Sequence, residues 1–245
     1  MIVLMLGSAP NVMACRDWPR APFDRVVAIN NAWRVRPDWD DLVFPEDFPV
    51  ENRPGTVAPG QRLIEADAFV PAQNAWGGFV YAGGTMAFTA GYWALEALKP
   101  RVIAYLGCDM VYRGGSTHFY GRGTADPLRA DISLRSLEAK AARFMVRAAG
   151  AGTAVVNLST SPSRLVFPRA TPGTVATARP QVFDAASADA ALSRERALGY
   201  MVPSGRYWEE ADRFDIAEID RLDALWLKAG GTAAPAEHEA LRAAS

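Results

Sequence analysis

His118 is the side chain with the best address for acid–base chemistry. The chain has two histidines. This one stands in a glycine-flanked loop, GGSTHFYG, that follows a short apolar run. Near neutral pH an imidazole can take a proton from a hydroxyl or give one to a leaving phosphate. Asp109 lies upstream at the end of the apolar run, where it either orients His118 or a substrate hydroxyl, or caps the turn. Tyr112 and Tyr120 can donate to phosphate oxygens, which suits departure of a nucleotide without a metal. Arg113 and Arg122 can add charge, although loop arginines are ordinarily solvated. The bland alternative for His118 is a loop histidine hydrogen-bonded to backbone. The other histidine, His238, lies in an alanine-rich tail and is read as inert.

Other chemistries lack their signatures. There is no HExxH, no CxxC and no DxD after a strand, and Asp40-Asp41 stands before an apolar run instead of after one. A GxSxG elbow and a Walker A loop are also missing. No metal or cofactor is therefore expected.

Stepping outward from His118, the elements that must hold it read as α/β. Gly83-Gly84-Thr85 suits a helix start that leaves its backbone N–H groups free. The helix, apolar all round and so buried on more than one side, runs to about Leu98 and stops at Pro100. Residues 101–106 form a short apolar run of the kind buried on both sheet faces. It empties into Gly107, Asp109 and the histidine loop, and ligands in open α/β sheets bind beyond the carboxyl ends of strands. Two similar units precede it. Residues 2–6 end in Gly7-Ser8-Ala9-Pro10-Asn11, with one glycine where a dinucleotide fingerprint has three. Residues 25–29 end in Asn30-Asn31-Ala32-Trp33, two amides and a stacking face beside a ligand, or simply an Asx turn.

The rest of the chain is less patterned. A third run, 42–44, ends in Glu46-Asp47, read as solvated. Residues 50–75 show no sustained period and read as a long excursion with a short strand. Residues 133–149 read as a helix and 153–158 as another buried strand, followed by a hydroxyl-rich turn with Arg164 that is either a phosphate contact or an ordinary turn. The expected organisation is a Rossmann-like domain over 1–168, then a linker and a helical C-terminal extension over 169–245 with a frayed tail.

Composition excludes whole classes. A formal net charge of −1 leaves no basic footprint for nucleic acid or an anionic membrane. No apolar run has the length of a membrane span. The opening MIVLMLGSAP lacks the basic flank of a signal peptide. Two cysteines, Cys15 and Cys108, are too few for a disulfide framework. The cytoplasm is the expected compartment.

The order GSAPN, INNAW, GGTMAFTAGYWAL, then YLGCDMVY and THFYG, resembles the metal-independent bacterial sialyltransferases. It is also similar to their relatives, the motility-associated flagellin glycosyltransferases and archaeal hydroxymethylpterin pyrophosphokinases. The resemblance covers residues 2–168 and implies a Rossmann-like (GT-A-like), mostly parallel sheet holding a nucleotide, CMP in the sialyltransferases. It implies that Gly7, Ser8, Asn11, Asn30, Asn31, Gly84 and Thr85 contact nucleotide and sugar. It implies that Tyr112 assists phosphate departure, with His118 at the position of the family's second tyrosine. The chain departs from the pattern where those sialyltransferases carry a late histidine base, here residues 126–131, and in having Ser8-Ala9 in place of an Asn-Gly pair. The implied function is a glycosyltransferase-like enzyme using a nucleotide-activated sugar, with a CMP-linked nonulosonate among the donors and a glycan or small molecule as acceptor. Catalysis would rest on His118 as general acid or base, Asp109 as its orienter and Tyr112 at the phosphate. A pyrophosphokinase-like enzyme on the same scaffold and a non-catalytic nucleotide- or glycan-binding protein are the alternatives.

Overall fold

The apolar runs form a six-stranded, all-parallel sheet. The strands are β1 (Ile2–Leu6), β2 (Arg25–Ile29), β3 (Asp41–Val43), β4 (Arg62–Ile64), β5 (Val102–Leu106) and β6 (Ala154–Asn157). The helices are α1 (Ala66–Ala75), α2 (Phe79–Ala82), α3 (Met86–Leu98), α4 (Leu137–Gly150), α5 (Ala185–Leu198) and α6 (Ile216–Ala229). This computed structural model describes residues 1–112, 117–121 and 128–232. Arg113, Arg122, Asp126 and His238, singled out from the sequence, lie outside the described residues.

Strand order is β4-β3-β2-β1-β5-β6. The chain steps outward from β1 to β4, then crosses back to lay β5 against β1. The order therefore reverses between β1 and β5, the switch point at whose carboxyl ends doubly wound sheets place their ligands. The fold is α/β and Rossmann-like, as the sequence predicts.

Alternation along the strands feeds two cores. Val3, Met5, Val27, Ile29, Ile103, Tyr105 and Val155 face one side, where Phe69 of α1, Phe88 and Trp93 of α3, and Phe144 of α4 cover them. Leu4, Leu6, Val26, Ala28, Leu42, Ala104 and Val156 face the other. That second face is covered by short 3₁₀ turns and loops bearing Val12, Cys15, Ala32, Trp39, Phe48 and Val175. Helix α3 sits close on β5 at Gly91, where a Cβ would meet the Tyr105 hydroxyl at 2.1 Å. Tyr92 and Trp93 are core residues, as their place in an all-round apolar helix predicts.

Two stretches differ from expectation. The excursion over residues 50–75 contains β4 and a whole helix, α1. Pro71 inside that helix lacks an N–H and breaks the pattern a reader would follow, but burial of Phe69 and Ala72 holds the segment helical. The helix read over 133–149 is split: a 3₁₀ turn ends at Leu134, and Ser136 caps α4 by accepting from the Ala139 N–H. Among the described residues no helix is long and apolar enough to cross a membrane.

Helices α5 and α6 pack on α4 through charge as well as apolar surface. Arg143 of α4 is completely buried; it donates to both carboxylate oxygens of Glu195, to the Tyr92 hydroxyl and to the Trp76 carbonyl. Glu195 also accepts from the Trp226 indole at 2.8 Å. One turn away, buried Lys140 meets Asp223 at 2.8 Å. Removing one member of such a pair strands the other without water, a loss of roughly 3–5 kcal/mol. Glu195→Ala is therefore expected to cost about that much in a denaturant melt. Asp220→Ala, which removes the half-exposed partner of Arg135, should cost no more than about 1 kcal/mol.

Candidate functional site at the carboxyl edge

The two turns at the switch point are pressed together. A Cβ on Gly7 would lie 2.3 Å from the Gly107 carbonyl oxygen, and one on Gly107 would lie 2.7 Å from Cβ of Val12. The Gly7 N–H donates to the Leu106 carbonyl at 2.8 Å and the Ala9 N–H to Gly107 at 2.9 Å, so pairing continues past the strand ends. Gly7 therefore serves backbone-to-backbone packing, with Gly107 and Cys108 on the side where a ligand was expected.

Beyond this contact lies a polar clasp. The Asn11 amide nitrogen donates to Asp109 at 2.6 Å and to the Ser159 hydroxyl at 2.7 Å. Asn157, the last residue of β6, donates to the other Asp109 oxygen at 3.3 Å and to Ser163 at 3.0 Å. Asp109 is 3 % exposed, and its hydrogen bonds run to these amides. That corrects the expectation that Asp109 orients His118: the carboxylate ties the ends of β1, β5 and β6 together. Its neighbour Met110 is held at φ +54°, a left-handed backbone that is uncommon for such a side chain.

His118 sits against β1. The Phe119 N–H donates to the Ser8 carbonyl at 2.9 Å, and the His118 and Gly121 backbones bond each other. Its ring stacks on Tyr120 with centroids 5.0 Å apart and lies 5.9 Å from Tyr112. Thr117 Oγ1 is 2.9 Å from Nδ1. The residue is 8 % exposed. Burial lowers its pKa below that of a solvated imidazole, so the neutral ring prevails at pH 7. His118, Tyr112 and Ser8 are thus brought together.

The second asparagine turn reaches the same edge from β2. Asn30 adopts φ +51°, a left-handed conformation that asparagine tolerates. The Oδ1 atoms of Asn11, Asn30 and Asn31 are buried without a hydrogen-bond partner, and Asn31 is only 7 % exposed. A buried acceptor left unpaired costs free energy, and three of them lie at the carboxyl ends of β1 and β2. Trp33 is held by its indole N–H to the Asn52 carbonyl at 3.0 Å and lines a separate groove of about 410 Å³ with Arg34, Trp39 and Pro54.

The start of α3 departs from the sequence reading. Its glycine turn is not left open: the Gly84 N–H donates to Ser133 at 3.0 Å, and Arg129 donates to the Gly84 carbonyl at 3.0 Å. A Cβ on Gly84 would meet the Tyr207 hydroxyl at 2.5 Å. Thr85, 3 % exposed, caps its own helix by accepting from the Phe88 N–H. Around this turn Asp131 accepts from Tyr207, Ser133 and Arg129. Burial opposes its charge, but hydrogen bonds from Ser133 and Tyr207 outweigh that and hold the carboxyl below its ordinary pKa. The tyrosine is pushed up to about 12 by its own burial and this carboxylate. Gly84 and Thr85 are therefore satisfied by protein groups in the structure.

Several members of the site carry little sequence signal. Asn157 is one polar residue at the end of an apolar strand, and Tyr207 arrives from the distant extension. Arg164, the arginine noted after β6, is paired with Glu138 at 2.7 Å. Among the described residues no group of three or more His, Cys, Asp or Glu side chains could hold a metal ion.

No family model, curated protein or solved structure matches the chain.

Two outcomes follow from this geometry. Gly7→Ala forces backbone apart at the switch point and is expected to cost about 1–3 kcal/mol or more, read from the denaturation midpoint. In an NMR pH titration His118 should protonate below the ordinary value near 6.5. Because its folded pKa is the lower one, the unfolded chain binds more protons between the two values. Its contribution to stability is therefore complete above about pH 7 and falls as the pH drops through that window. His118→Gln should flatten this part of the stability profile.

Proposed function

We propose that the chain is a metal-independent glycosyltransferase-like enzyme that takes a nucleotide-activated sugar along the carboxyl edge of β1, β2 and β5. A CMP-linked nonulosonate is the first donor to test, and the acceptor is a glycan or small molecule bearing a hydroxyl. The observation that carries this reading is the seat of His118, a mostly buried imidazole strapped to the β1 turn at the switch point. In its neutral form it accepts the proton of the acceptor hydroxyl as that oxygen attacks the anomeric carbon and the nucleotide phosphate leaves. Tyr112, beside the ring, donates to the departing phosphate oxygen. The unpartnered asparagine oxygens supply acceptors for the N–H groups of a base. The free, buried cysteines accord with the cytoplasm.

A second reading, binding without turnover, draws on Asp131. It ends the segment where the sialyltransferases keep their late histidine, and it is engaged by Arg129, Ser133 and Tyr207.

A thermal-shift screen with CMP, UDP, GDP and ATP, with and without Mg²⁺, reads the binding half of the proposal. A ligand at 100 times its Kd adds roughly 2.7 kcal/mol of stability. Turnover of CMP-sugars in the presence of chelator reads the chemical half. His118→Ala should lower that turnover by about 100-fold or more while leaving CMP affinity nearly unchanged. Unchanged turnover would sink the assignment of His118. Binding of CMP with no turnover of any donor would support the second reading, turnover lost to chelator would overturn metal independence, and turnover surviving chelator argues against the pyrophosphokinase alternative.

A further inference from the structure

The end of β6 opens onto a second cavity, of about 450 Å³, lined by Ser159, Thr160, Arg169, Ala170, Thr171 and Thr174. Four of the six are hydroxyl residues, one is a cation, and none is a carboxylate. Arg169 donates to the carbonyls of Ser159 and Ser161, which fixes the guanidinium against the wall. Among the described residues those two bonds leave its Nε–H and further N–H groups uncommitted, and Arg169 makes no ion pair with a carboxylate. The other arginine of this turn, Arg164, is neutralised by Glu138. The positive charge at the cavity is therefore uncompensated by its own surroundings.

Ser159 supplies the second, independent observation. It is 3 % exposed, and its oxygen accepts from the Asn11 amide at 2.7 Å and from the Ser161 N–H at 3.0 Å. Among the described residues its oxygen is only an acceptor, which leaves its hydroxyl hydrogen for a ligand at the cavity wall. The exposed Thr160 makes no hydrogen bond among the described residues. The Thr171 and Thr174 hydroxyls bond each other at 3.2 Å, so the groups that face an anion's acceptor oxygens are the guanidinium with its spare donors, the Ser159 hydroxyl and the Thr160 hydroxyl.

We infer that this cavity is an anion subsite that takes the phosphate or carboxylate of a second ligand. It is joined to the nucleotide edge by the chain Ser159–Asn11–Asp109. Arg169 supplies charge and a planar donor pair, Ser159 the inner hydrogen bond and Thr160 an outer one. Naming that second ligand as the acceptor rests on the glycosyltransferase reading; the anion subsite itself does not.

The test uses the full chain with inorganic phosphate and acetate as probes, each against chloride at matched ionic strength, read by calorimetry and thermal shift. At least one of the two should bind and raise Tm, and the responding probe tells phosphate from carboxylate. Arg169→Gln should weaken that binding by about tenfold or more, and Thr160→Val, which removes no internal hydrogen bond, should weaken it a few-fold. Arg135→Gln, which changes no residue of the cavity lining, should leave it unchanged. The proposal is overturned if neither anion stabilises the protein beyond chloride, or if folded Arg169→Gln keeps its affinity. It is also overturned if CMP displaces the anion one for one, which would put the anion in the nucleotide edge. Anion binding through Arg169 with no response to CMP would remove the nucleotide reading and leave the subsite standing.

Discussion

The close approach of the Gly7 and Gly107 backbones sets the geometry of everything at the carboxyl edge. With no side chain on either residue, the β1 and β5 turns run on side by side after their strands end, and Val12 seats directly over Gly107. That places Asn11 within hydrogen-bond reach of Asp109 and Ser159, and presents the Ser8 carbonyl to the histidine loop. A side chain on either glycine would move two strand ends at once. Close backbone packing thus comes first, and the polar clasp is built on top of it.

Charge does for the opposite side of the molecule what glycine does at the switch point. Arg143 and Lys140 project from α4 into apolar surroundings and find their counter-charges on α5 and α6. A chain ending near residue 168 would lose both counter-charges and uncover the surface of α4 on which Trp226 and Leu227 pack. The C-terminal helices are in that sense part of the sheet domain's core. Tyr207 extends the same dependence to the α3 turn, because its hydroxyl fills the space beside Gly84.

The sheet was legible in the sequence because strands buried on both faces read as unbroken apolar runs, and β1, β2, β5 and β6 all do. Helix α3 was legible for a related reason, its all-round apolarity. Helix α1 was hidden by Pro71 and by a weak apolar stripe. At the site, the residues that end strands stood out: Asn11, Asn30, Asn31, Asp109 and the His118 loop. Their partners did not. Asp109 is joined to Asn11 across 98 residues and to Asn157 across 48, and no local pattern encodes such pairings. The same holds for Ser133 and Tyr207, which close a helix start that looks open when read alone.

The second face of the sheet is covered by 3₁₀ turns instead of long helices, and those turns are also the ones that carry the site. In residues 10–15, Asn11 points to the clasp while Val12 and Cys15 fill the core; in residues 30–34, Asn30 and Asn31 directly precede buried Ala32. Site and core share a few residues of backbone, so neither amide can swing away without lifting apolar side chains out of the interior. The edge is consequently stiff before any ligand arrives. A molecule that fits it loses little free energy to ordering protein, and one that needs the amides elsewhere must first open the core.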